Sequence, residues 1–121
     1  MPINRNQNGV FAVDSLVASG VQTASGSSVA QSGYAQAKNL VIQLDVTAAA
    51  GTAPTLDVVV EDSVDGTNYA TITGGVFAQK VTTGRETLRI SVPFTDTLRV
   101  SWTIGGTTPS FTFGVSVYSE A

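Results

Sequence analysis

Four carboxylates lie close together in the middle of the chain and are the first residues that could do chemistry: Asp57, Glu61, Asp62 and Asp65. Two carboxylates that face each other across a cleft can hydrolyse a glycosidic bond. Carboxylates around a turn can also bind Ca²⁺, but the Asp-x-Asp-x-Asp-Gly spacing of an EF-hand is absent. On a strand and its turn they more often form a solvated edge. We expect Asp65 to satisfy the turn and Glu61 to face water.

The residue types on which most enzymes depend are missing. The chain has no histidine and no cysteine, which removes the usual general base, the commonest metal ligand, the thiolate nucleophile and disulfides. Lys38 and Lys80 are isolated, and no Ser-x-x-Lys motif is present. We therefore expect a protein that is not an enzyme and that needs no cofactor or metal ion.

Carbohydrate binding is a candidate function of another class, because sandwich lectins use exposed aromatic side chains in a cleft. The candidates are Tyr34, Tyr69 and Tyr118, of which only Tyr118 falls clearly on the outward face of a predicted strand. An outward tyrosine near the C-terminus is more often an interface residue. Tyr118 is therefore also a candidate contact with a partner protein.

Composition limits the partners further. Nine acidic and six basic residues give a net charge of −3, which disfavours nucleic-acid binding because phosphates require clustered Lys and Arg. Charged residues make up only 12% of the chain, about half the usual share. Such a surface is either the neutral polar face of a β-protein or a surface covered by partners in an assembly, where buried charges would be costly.

The N-terminal region is polar and reads as an extended arm over residues 1–8. It is either a frayed terminus or an arm that docks on a neighbouring subunit. We take as candidate contacts Ile3, Asn4, Arg5, Asn6 and, just beyond the arm, Phe11. The terminus lacks the apolar core of a signal peptide, and no apolar run approaches the roughly 20 residues of a membrane-spanning helix. We expect a protein made in the cytoplasm that does not enter a membrane.

The elements that position these residues are β-strands, because apolar residues alternate with polar ones. Asn39–Tyr69 is built on two alternating runs, Lys38–Thr47, which begins one residue before it, and Thr55–Glu61. A loop over Ala48–Pro54 joins them, and an Asp-Gly turn closes the segment. We expect this segment to build hairpins. A return strand at Asn68–Thr73 follows that turn.

Further strands are expected on both sides of this segment. Short or weak strands are predicted over 10–13, 21–23 and 76–81, with a turn at 25–27 and room for a short helix over 28–37. Stronger alternation marks strands over 85–92, 97–104 and 111–118, the last two joined by a loop over 105–109. Trp102 and the nearby phenylalanines are expected at the centre of the core.

Seven or eight short strands with a turn about every ten residues are typical of an all-β antiparallel β-sandwich, jelly-roll or Ig-like. A closed barrel is the competing all-β solution. At 121 residues the chain is predicted to form one sandwich domain over residues 9–121 after the arm.

Two stretches carry a resemblance to a known family. Residues 44–69 contain Gly-Thr-Ala-Pro-Thr-Leu between two strands and then Ser-Val-Asp-Gly-Thr-Asn, and residues 98–113 form a second block. These stretches resemble segments of small β-sandwich structural proteins of tailed bacteriophages. Together they cover a little over a third of the chain.

The resemblance implies a virion structural protein, best matched by a capsid decoration (cement) protein on the outer surface of the phage head. Its implied partner is the major capsid protein, and such proteins are commonly dimers or trimers. A tail, neck or baseplate component is the alternative within the same class. The N-terminal third does not match, and the candidate contacts lie there and at Tyr118.

Overall fold

Antiparallel strands build the whole of the computed structural model, which describes residues 11–35 and 37–120. Within these residues there is no helix, and six strands follow one another along the chain. They are β1 (Phe11–Gln22), β2 (Gly26–Ser27), β3 (Asn39–Ser63), β4 (Ala70–Val76), β5 (Gly84–Ile90) and β6 (Thr97–Glu120). The predicted all-β antiparallel sandwich is confirmed.

The two long strands β3 and β6 pair with each other from end to end, from Asn39 opposite Glu120 to Ser63 opposite Thr97. β1 and β5 flank the half of this ladder that contains Asn39 and Glu120. β2 and β4 flank the other half. The result is two layers of four segments each, and β3 and β6 run through both layers.

The core lies between the layers and comes from the inward positions of β3 and β6. Alternate residues from Leu40 to Val46 and from Leu56 to Val60 are at most 2% exposed. The ring of Trp102, in one layer, meets Phe113, in the other, edge to face at 5.5 Å between centroids. The expected core of alternating aliphatic residues around Trp102 and the phenylalanines is confirmed.

The two predicted hairpin loops, Ala48–Pro54 and Gly105–Pro109, are wrong. Both segments stay within strands, and they pair with each other, with Thr52 opposite Thr107. The halves of Asn39–Ser63 therefore pair with β6 and not with one another. Since each long strand accounts for two predicted strands, eight strand segments correspond to the predicted seven or eight.

A matched pair of bends replaces these loops. Gly51-Thr52-Ala53-Pro54 in β3 and Gly106-Thr107-Thr108-Pro109 in β6 share the pattern Gly-Thr-x-Pro. Their backbones match as well, with φ of 113° and 112° at the glycines and 50° at Ala53 and Thr108. The two bends are related by an approximate two-fold axis through the Thr52–Thr107 pair, and they carry both strands from one layer to the other.

Four other local predictions need correction. The weak strands over 10–13 and 21–23 are parts of one strand, β1, as far as it is described, and the turn over 25–27 contains β2. No helix forms in the described part of 28–37, where Gln31 makes a bridge to Leu98. Residues 76–81 do not form a separate strand: Val76 ends β4, and of the rest only Lys80 pairs, in a single bridge to Leu56 of β3.

The bends give a stability prediction. A Cβ at Gly106 would lie 2.7 Å from the Ala53 carbonyl oxygen and 2.9 Å from the Pro54 Cα, both backbone atoms. Gly106→Ala should therefore lower the free energy of unfolding by about 3 kcal/mol, through left-handed strain and a clash that cannot relax. Urea denaturation measures this loss.

Gly74→Ala is the matched control, because Gly74 also has positive φ (84°) but has no atom within 4 Å of the added Cβ. It should cost only the conformational strain, about 1 kcal/mol. Equal losses for the two variants would contradict the close packing of the bends.

Candidate functional site

The predicted contact residues fall in different parts of the chain. Ile3, Asn4, Arg5 and Asn6 lie outside the described residues, as does the whole predicted arm. The backbone of Phe11 begins β1 opposite Glu120. Tyr118 lies on β6 between β1 and β3, with Val13 on one side and Val41 on the other. The structure thus brings the start of β1 next to Tyr118.

The outward surface around Tyr118 is a row of side chains that crosses four strands. Val13, Tyr118, Val41 and Arg89 occupy aligned positions on β1, β6, β3 and β5. Val13 is 44% exposed, Tyr118 and Val41 are half-buried, and Arg89 is exposed. We call these four residues the Tyr118 row. Three of them form a largely apolar stripe that reaches the β1 edge of the layer.

A polar cleft of about 170 Å³ lies beside this row on the same face. Its polar lining comes from Ser15, Ser19, Gln43, Asp45 and Ser116. Gly114 forms part of its wall, and a Cβ there would come within 3.2 Å of the β1 backbone, which bulges at this point. The cleft offers hydroxyl, amide and carboxylate groups for hydrogen bonding.

A second groove, of about 440 Å³, separates β1 from β2 and reaches Trp102. The indole itself is only 7% exposed, and its N–H donates to the Ala24 carbonyl at 3.0 Å. This ring is therefore a core residue anchored at its polar edge. It does not offer the open aromatic face on which a sugar would stack.

The other tyrosines also have structural roles. Tyr34 is fully buried, and its hydroxyl donates to Asp14 Oδ2 at 3.1 Å. Tyr69 lies beneath Arg99, whose guanidinium carbon is 4.0 Å from the ring centroid. Of the three candidate sugar-binding tyrosines, Tyr118 alone therefore lies on a broad outward sheet face.

The four central carboxylates do not form one cluster, because each makes its own local contacts. Asp57 accepts hydrogen bonds from Gln79, and Asp62 accepts from the Thr95 N–H at 2.9 Å. Glu61 accepts from Arg99 Nε at 2.7 Å. The expectation that Glu61 faces water is therefore wrong, because the side chain is only 16% exposed and is paired. Within the described residues, no group of three or more acidic side chains could hold a metal ion.

Asp65 organises the turn after β3, as expected. Its carboxylate accepts from the N–H groups of Thr67 and Asn68, both at 2.8 Å, and from the Asn68 side-chain amide at 2.9 Å. Ser63 Oγ donates to the same carboxylate and accepts from the Gly66 N–H at 2.8 Å. Each polar residue of Ser-Val-Asp-Gly-Thr-Asn thus has a turn-forming role. The motif encodes shape and not reactivity.

These contacts hold the pKa of Asp65 well below its ordinary value of 3.8, chiefly through the backbone N–H groups of Asn68 and Thr67. Because the pKa is lowered on folding, the charged turn stabilises the protein above pH 3.8, and this contribution is lost as the pH falls towards the folded pKa.

Within 11–35 and 37–120, no helix long and apolar enough to span a bilayer is found.

Comparison with known proteins shows a similarity of fold to solved structures. No protein-family model and no curated protein sequence matches the chain. A solved structure of the infectious bursal disease virus Gx strain matches with a TM-score of 0.58 and 10% identity over 93% of this chain. VP2 of the infectious bursal disease virus subviral particle matches with a TM-score of 0.56 and 11% identity over 98%. These matches cover 32% and 37% of the viral chains, so this chain spans about a third of their length.

A third match is the CBM22-1-GH10 modules of Clostridium thermocellum xylanase 10B complexed with xylohexaose. It has a TM-score of 0.45 and 13% identity, and covers 76% of this chain and 19% of that one. A likeness at this level does not bear on sugar binding. The two viral matches show that the whole described fold is a β-sandwich also present within a larger chain.

The turn gives a pH-dependent prediction. At pH 7 Asp65→Asn should lower the Tm, because the amide replaces a carboxylate that accepts hydrogen bonds from two backbone N–H groups and a side-chain amide. The Tm difference from wild type should shrink as the pH is lowered below 3.8. Thermal melts by circular dichroism across this range measure it.

Asp45→Asn is the control, because Asp45 makes only an exposed ion pair with Arg85 at 3.4 Å, and such pairs contribute little. A Tm difference for Asp65→Asn that stays constant down to pH 2 would refute the role given to its charge.

Proposed function

We propose that this protein is a structural component of a virus particle, and specifically a capsid decoration protein that binds the outside of a bacteriophage head. The observation that carries the proposal is the likeness of nearly the whole chain to a section of VP2 in a viral particle. The resemblance of residues 44–69 and 98–113 to structural proteins of tailed phages points in the same direction and supplies the phage assignment.

The roles of the matched residues support a structural function. The Gly-Thr-x-Pro segments form the bends between layers, and Ser-Val-Asp-Gly-Thr-Asn forms a self-contained turn. The residues behind the phage resemblance thus maintain the shape of the sandwich. A protein whose function is to fill a position in an assembly depends on its shape and on its outer surface.

A decoration protein would stabilise the head by bridging neighbouring copies of the major capsid protein. Several weak contacts made by one molecule act together, so a bridging subunit can bind tightly without any single strong site. The low charge of the chain suits this role, since few charged groups must be desolvated at the contact. On this proposal the protein is a non-enzymatic homo-oligomer on the capsid outer surface and needs no cofactor.

Direct binding tests the proposal. Purified protein mixed with phage heads that lack it should co-sediment with them at micromolar concentration and should raise the temperature at which they release DNA. Tyr118→Ser should weaken binding roughly tenfold, as loss of a central aromatic contact does. Val64→Ser, at an 88% exposed position in the turn after β3, should bind as wild type.

Binding to isolated tails and not to heads would replace the capsid assignment with a tail, neck or baseplate one. Binding to neither would reject the virion assignment. Tyr118-dependent signals on a glycan array, without head or tail binding, would instead support a carbohydrate-binding module.

A further inference from the structure

The two layers have four outer edges, and the strands at these edges differ in how they resist pairing with another chain. Unprotected edge strands add further strands readily, and proteins block this with charges, bulges or very short strands. β1 and β5 are the edges of one layer, and β2 and β4 are the edges of the other. A comparison of these four strands shows where a partner strand can be added.

Three of the four edges are blocked. β5 carries Arg85, Glu86 and Arg89 within seven residues. β4 contains Gly74 with φ of 84° and a shift in its register with β3. β2 has only two residues. Each of these features is a known obstacle to the addition of a strand.

β1 is long and has no charge on its surface. It spans twelve residues, and its one charged residue, Asp14, is 5% exposed and accepts a hydrogen bond from buried Tyr34. No described strand other than β6 pairs with it. β1 is therefore the edge that lacks these obstacles over its first part.

The hydrogen-bonding direction of β1 can be read from Ser15. The Ser15 carbonyl accepts a hydrogen bond from the Gln31 side chain at 2.7 Å, so it points away from β6. Peptide groups alternate in direction along a strand, and pairing with β6 is regular from Phe11 to Ser15. The N–H and C=O of Val13 must then also point away from β6, towards the open edge.

The open stretch is short: within the described residues it runs from Phe11 to Ser15. Beyond Ser15 the register shifts twice, and the Gln31 side chain crosses the edge. Val13 is the residue of this stretch whose backbone groups point outward and whose side chain is shown to be exposed, at 44%. A second copy of the chain, antiparallel and centred on Val13, would exchange both N–H···O=C bonds of Val13 with it.

The outer face supports the same partner. The apolar stripe of the Tyr118 row runs across Val41 and Tyr118 and ends at Val13, whose side chain is 44% exposed. A two-fold axis at Val13 would place Val13 of the partner subunit next to it and continue the stripe into the second copy. No like charges would meet at this junction.

We propose that two copies of this protein form a dimer by antiparallel pairing of β1 with β1 about a two-fold axis at Val13. Four strands from each copy then form one continuous eight-stranded layer. The Tyr118 rows of both copies lie on one face of this layer. This assembly does not depend on what the dimer binds.

A cysteine at the axis tests the geometry, because the chain has none of its own. In a hydrogen-bonded antiparallel pair the two Cα atoms lie about 5.5 Å apart, within the range of a disulfide. Val13→Cys should therefore form a covalent dimer under mild oxidation. Val76→Cys, 58% exposed on the β4 edge, should remain mostly monomeric on a non-reducing gel.

A charge at the axis tests the association without covalent chemistry. Val13→Lys should raise the dimer dissociation constant at least tenfold by sedimentation equilibrium, because two lysines would meet. Val21→Lys, 62% exposed on β1 beyond the open stretch, should change it less than twofold. Both variants should give the circular dichroism spectrum of the wild type, which checks that they are folded.

A wild-type protein that stays monomeric at about 100 μM would overturn the proposal, since a specific dimer of use in an assembly forms well below that range. A trimer would also overturn it, as would cross-linking of Val76→Cys as fast as that of Val13→Cys. Failure to bind phage heads would leave the dimer intact, so the two proposals fail separately.

Discussion

The pairing of β3 with β6 is the constraint on which the rest of the structure depends. Backbone N–H and C=O groups in a folded core must find partners, and here the two longest strands supply them to each other from end to end, in both layers. The four remaining strands attach to the sides of this ladder. The bends at Thr52 and Thr107 are what allow a single ladder to make two facing layers, and the packing of Trp102 against Phe113 follows from them.

The sequence predicts the core well because alternation reports directly which side of a strand is buried. Leu40, Ile42 and Leu44 are buried as their spacing indicates. Alternation carries no information about which strand lies beside which, and Gly-rich segments with proline look like loops whether or not their backbone is paired. That is why Ala48–Pro54 and Gly105–Pro109 were predicted to be loops. The repeated Gly-Thr-x-Pro pattern was the available signal that the two segments are equivalent.

The candidate site could be predicted only in part. An outward Tyr118 follows from strand periodicity, and the turn role of Asp65 follows from the chemistry of Asp-Gly. The pairing of Glu61 with Arg99 could not be predicted, because it joins residues 38 positions apart through strand register. The neighbours of Tyr118 could not be predicted either. Val13 and Val41 meet Tyr118 only because β6 lies between β1 and β3. The surface proposed for assembly is thus created by topology.

Strands that pass through both layers also change how the sandwich responds to mechanical load. Where each layer is built from its own strands, the two can separate once the side-chain packing between them gives way. Here the backbones of β3 and β6 cross from one layer to the other side by side, through paired bends. Shear between the layers would therefore act on the paired backbone of the bends as well as on the packed core. Such a sandwich would resist sliding of its layers through the backbone hydrogen bonds of the bends and not through side-chain packing alone.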